Sequence, residues 1–151
     1  MARYDLHHAK SPLEVSIVTG QGAEVVEFIA KGTIAAGDWV DLDAAGSTTG
    51  ADRVDGVVPG TGCGLCIGVA LEAASAASAG DPPNMVRVCV SGYVEGAKTD
   101  GSAAIPGDTL VPQSSAAVQK AAPTNTNPAV AIALESDESG TTCDVYVIRR
   151  F

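Results

Sequence analysis

Aromatic residues are scarce in this chain: two Phe, three Tyr and one Trp among 151 residues. A core of ordinary size must therefore be assembled from Val, Ile, Leu and Ala. Histidine is scarcer still, with only His7 and His8. A catalytic triad or a histidine-based metal centre would have to be built from the first ten residues, and exposed histidines are the simpler reading. Basic residues number 9 against 18 acidic ones, for a net charge of −9. Arg149-Arg150 is the only adjacent basic pair. Such a surface repels phosphate backbones and anionic membranes, which disfavours nucleic-acid and membrane partners. It serves solubility first, and a basic partner second. No apolar run approaches the length of a membrane span, and no apolar stretch of signal-peptide length follows the polar residues Met1 to Lys10, only the short Val15-Ser-Ile-Val18. The sequence reads as a product made and kept in a cytoplasm, or assembled there into something larger. A phosphate-binding loop is also missing. Gly60-Thr-Gly-Cys-Gly64 opens no helical pattern and reads as a turn.

The four cysteines stand at 63, 66, 89 and 143. Cys63-Gly-Leu-Cys66 has the spacing of a metal knuckle, but no third and fourth ligand lies near it in sequence. Cys89 and Cys143 sit inside strand-like runs and read as small buried hydrophobes. Reduced thiols, with no metal and no cofactor, are expected.

What is abundant is punctuation: 17 Gly and 8 Pro divide the chain into short apolar runs. Strand patterns fall on Glu24–Ala30, Trp39–Leu42, Val54–Val58, Cys66–Leu71, Met85–Val90 with a continuation to Glu95, Thr109–Val111, Ala129–Leu134 and Thr142–Ile148. Residues 72–79, rich in Ala and Ser, have room for one or two helical turns. Residues 112–128, with Pro112, Pro123 and Pro128, read as a polar connection. The expected fold is all-β: a small barrel or sandwich, with little helix.

The chain also echoes itself. Ile34-Ala-Ala-Gly37-Asp38-Trp-Val returns as Ala104-Ile-Pro-Gly107-Asp108-Thr-Leu, 70 residues on. Ile67–Glu72 returns as Val130–Glu135 after 63, Gly80 as Gly140 after 60, and Val86–Val90 as Asp144–Ile148 after 58. Two similar β-units in tandem are expected, facing each other to close one barrel or sandwich. The repeat makes Asp38 and Asp108 equivalent. A catalytic carboxylate pair is one reading, but Gly-Asp before a strand is ordinary turn chemistry. Glu72 and Glu135, likewise equivalent, read as solvated strand ends. Residues 1–22 mix charge, histidine and Pro12 and read as an extended arm pinned against a neighbour, preceding a β-barrel-like domain at 23–151. Candidate contact residues are Arg3, Tyr4, His7 and His8 in the arm, Trp39, and Arg149, Arg150 and Phe151 past the last strand. Trp39 is equally suited to cap the core.

The series 30–38 (Ala-Lys-Gly-Thr-Ile-Ala-Ala-Gly-Asp), 67–72 (Ile-Gly-Val-Ala-Leu-Glu), 86–92 (Val-Arg-Val-Cys-Val-Ser-Gly), 106–108 (Pro-Gly-Asp) and 131–135 (Ala-Ile-Ala-Leu-Glu) resembles the capsid decoration, or cement, proteins of tailed bacteriophages and prophages. The resemblance spans about residues 24 to 148 and lies in turn-and-strand patterns rather than catalytic signatures. It implies a structural virion protein, not an enzyme, made in a host bacterial cytoplasm. Such a protein would sit on the outer surface of the capsid as a homotrimer, bind the major capsid protein lattice, and stabilise the head against DNA pressure. The arm and the cysteines are not part of it. Three other readings compete. A biotinyl- or lipoyl-like carrier would need a lysine on a hairpin between the two halves, for which Lys98 is the candidate. The others are a small β-barrel enzyme with an unrecognised site, and another virion part such as a tail tube or head fibre.

Overall fold

The computed structural model describes residues 22–43, 55–62, 65–136 and 140–148. The arm at 1–22, apart from Gly22, therefore lies outside the described residues. Nine strands follow in order: β1 (Glu24–Ala30), β2 (Trp39–Leu42), β3 (Gly56–Pro59), β4 (Cys66–Ala70), β5 (Met85–Lys98), β6 (Thr109–Gln113), β7 (Ala117–Lys120), β8 (Ala131–Ala133) and β9 (Thr142–Val147). The all-β expectation holds. Residues 72–79 form no helix: Ala74 instead bridges Ile34, exchanging N–H···O bonds of 2.7 and 3.0 Å. A helix of one or two turns has no cooperative gain to set against those sheet-like bonds.

The first five strands close on themselves. β1 pairs with β3 in parallel, β3 with β2, β2 with β4, β4 with β5, and the first half of β5 returns to β1. The result is a five-stranded barrel filled by Ala30, Ile34, Val40, Val57, Ile67, Ala70, Val86 and Val88. Small and β-branched side chains suit so narrow an interior. Gly68 on β4 packs directly against the β5 backbone. A Cβ there would stand 2.1 Å from the Cys89 carbonyl oxygen, so only glycine lets β4 approach β5 this closely.

The second half of β5 starts the same pattern again. It pairs with β9, β9 with β8, β8 with β6, and β6 with β7. A parallel bridge between Thr99 and Val118 brings β7 back to the end of β5. Strand for strand, β5–β9 repeat the connectivity of β1–β5, with β5 shared. The two units thus do not face each other to close one barrel. Each curls on itself, because a 14-residue β5 is long enough to serve both.

Backbone bonds confirm the repeat atom by atom. Gly37 and Gly107, both at positive φ (88° and 92°), donate to Ala70 and Ala133. Asp38 and Asp108 each accept the N–H three residues back, Ala35 and Ile105, at 2.9 Å. Glu72 accepts from the Arg87 N–H at 3.1 Å, and Glu135 from the Asp144 N–H at 3.0 Å. This last pair corrects the sequence alignment by one residue. Arg87 matches Asp144, so Val86, Val88 and Val90 correspond to Cys143, Val145 and Val147. The buried face is then the same in both units. A one-residue slip reverses every side chain of a strand, which is why the uncorrected match set valines against polar residues.

Candidate interaction face

The residues singled out by sequence divide by burial. Trp39 is only 1% exposed, and its indole N–H donates to the Lys98 carbonyl at 3.0 Å. Its own N–H donates to Ala116, and Ala116 donates to Gly60. Both Lys98 and Ala116 belong to the second unit. The interface that Trp39 anchors is therefore inside the chain, between the two units. Arg3, Tyr4, His7, His8, Arg149, Arg150 and Phe151 lie outside the described residues, as does Cys63.

Asp38 and Asp108 are turn residues, as their spacing suggested, and they are held apart in separate units. Each also meets a lysine: Lys98 Nζ lies 3.1 Å from Asp38, and Lys120 Nζ 2.8 Å from Asp108. The Lys120 ammonium, and then the Ile105 N–H, hold the Asp108 carboxyl below the usual carboxylate range. Glu72 and Glu135 are not merely solvated strand ends. Each clamps the neighbouring strand through a backbone N–H, and Glu72 also takes both Nε and Nη2 of Arg87 at 3.2 Å.

Cys66, Cys89 and Cys143 are buried. Burial, the chief cause, pushes the Cys89 thiol up to about 11. It is thus kept from the thiolate that chemistry or metal binding would need. Among the described residues no three His, Cys, Asp or Glu converge as a metal site. Tyr93 donates to Asp144 at 2.6 Å, and Gly96 donates to the other carboxylate oxygen at 3.0 Å. The Asp144 hydrogen bond, more than burial, raises the Tyr93 phenol and keeps its proton in place. A shallow groove of about 220 Å³ between Ile29–Lys31 and Ala76–Pro83 carries Lys31 and Asp81 on an otherwise mostly small-residue lining. No helix among the described residues is long and apolar enough to cross a membrane.

The feature the sequence reading missed is an apolar sheet face. Ile132 on β8 is paired with Tyr146 on β9 and with Thr109 on β6, and Tyr146 with Tyr93 on β5. Leu134 continues the row past β8. Ile132, Leu134 and Tyr146 are 37%, 44% and 48% exposed. The signal was present in Val130-Ala-Ile-Ala-Leu134. Its alanines at 131 and 133 are buried, while two of its large residues point outward. A strand apolar on both faces has two partners to meet.

Comparison with known proteins supplies no relative: no family model matches the chain, and no curated protein matches it significantly.

Proposed function

We propose that this is a structural virion protein, a capsid decoration protein that binds the outer surface of a major capsid protein lattice and stabilises the head. The observation that carries the reading is the resemblance itself. Its motifs are the structural parts of the repeated unit: the end of β1 with the turn into β2 (30–38), β4 (67–72), the first half of β5 (86–92), the turn into β6 (106–108) and β8 (131–135). Two further observations support it. The prominent carboxylates hold the frame together through turns and ion pairs with Lys98, Arg87 and Lys120. The net charge of −9 suits an outward surface and disfavours contact with packaged DNA. Lys98 speaks against the carrier reading, because it lies within β5 and is paired with Asp38 rather than standing at a hairpin tip.

A cement protein acts by mass action. It binds the assembled lattice better than free subunits and so shifts the lattice away from disassembly. Three weak contacts from a trimer add avidity without any one strong site. The test is to add the purified protein to heads of the encoding phage that lack it, and to measure what cosediments. Saturable binding to expanded shells, with little binding to free capsid subunits, is expected. Equal binding to both, or none to shells, overturns the reading.

A further inference from the structure

The repeat assigns a counterpart to every residue of the exposed face. Thr109, Ile132, Leu134 and Tyr146 in the second unit occupy the places of Trp39, Val69, Leu71 and Cys89 in the first. The equivalence follows from shared bonds: Gly37 with Gly107, Ala70 with Ala133, Arg87 with Asp144. In the first unit all four residues are buried, at 1%, 0%, 4% and 0% exposure. They point away from the first barrel's own interior and join the buried cluster of the second unit, with Val94, Leu110, Val118 and Val145. What covers them is the next β-unit in the tandem. Its β5 carbonyl at Lys98 and its β6–β7 turn at Ala116 are fixed to Trp39 by the bonds described above.

We propose that the face formed by Ile132, Leu134 and Tyr146 docks the first unit of a second copy of this chain, continuing between copies the arrangement that joins the two units within one. The occupant follows from the established interface between the units. The same sheet position, still apolar, is covered by a β-unit in one half and exposed in the other. The aromatic residue has moved from β2 (Trp39) to β9 (Tyr146), while the aliphatic pair on β4 (Val69, Leu71) is kept on and beside β8 (Ile132, Leu134). The contact is head to tail rather than self-complementary, so the copies close into a ring if the rotation allows it. The inference deepens the self-association part of the proposed function and does not depend on a shell being the target.

The test uses the full chain in solution, without capsid. Sedimentation of the unmodified protein over a range of concentrations should show self-association. Tyr146→Glu and Ile132→Asp should each weaken it about tenfold or more, as charges placed in a desolvated contact do. Ile105→Glu, at an exposed apolar site whose first-unit counterpart Ala35 stays exposed, should leave it unchanged. Far-UV circular dichroism checks that the variants fold. Leu134→Glu, beyond the end of β8, reads the same surface should Ile132→Asp disturb the strand. A protein that stays monomeric at every concentration overturns the proposal. So does association that Tyr146→Glu and Leu134→Glu leave as strong as before. Neither result would touch shell binding, which is measured separately.

Discussion

At the scale of single residues, the structure uses polar groups as fasteners. Asp38 shows how much one carboxylate can tie together: it closes its own turn on Ala35 and receives Lys98 from the second unit. The roles of Asp38 and Asp108 were legible from Gly-Asp before a strand, because turn chemistry is local. The strand clamps made by Glu72 and Glu135 were not, because their partners at Arg87 and Asp144 depend on strand pairing. Cys89 offers a pH test. Its thiol is fully buried, and burial raises it from 9.0 to about 11. Between those values the unfolded chain has lost a proton that the folded chain keeps. Stability therefore falls as pH rises through this window and is unaffected below it. The raised Tyr93 phenol acts in the same direction at still higher pH. Denaturant unfolding from pH 8 to 11 should show the unmodified protein losing about 2 kcal/mol more than Cys89→Ala does. Parallel losses in the two proteins would refute the assignment.

At the scale of elements, most strands were legible because their apolar runs were bounded by Gly and Pro. β7 was missed, and β6 was cut short at Val111, because Pro112 argued against a strand. The structure tolerates Pro112 because β8 pairs with β6 only at Thr109 and Leu110, so the proline lies beyond that ladder. The repeat was legible at its turns and slipped by one residue at its last strand, where no Gly-Asp anchors the register. β4 approaches β5 closely at Gly68. Gly68→Ala should cost about 2–3 kcal/mol, an overpacking penalty at the high end because the group in the way is backbone rather than a movable side chain. Thermal or urea unfolding measures it. A loss within a few tenths of a kcal/mol would mean that β4 and β5 lie farther apart than described.

At the scale of the whole molecule, a closed five-strand barrel and a second unit of the same connectivity share one long strand, and the outer face of the first is buried against the second. The corresponding face of the second is apolar and exposed among the described residues. The all-β class and the two-unit plan could be read from periodicity and repetition. The open face could not, since sequence alone does not say which side of Ala129–Leu134 points inward. An acidic body with an exposed apolar face at Ile132, Leu134 and Tyr146 is compatible with the proposed lattice reinforcement, where many modest contacts act together. The contact expectations placed on Arg3, Tyr4, His7, His8, Arg149, Arg150 and Phe151 belong to segments outside the described residues. The most direct measurement of the central claim is the rate of DNA release on heating, compared for complete heads, heads lacking this protein, and deficient heads to which it has been restored. Faster release without the protein, and recovery when it is added back, is the expected result. Equal release from all three, with no density for the protein on the shell, would contradict it.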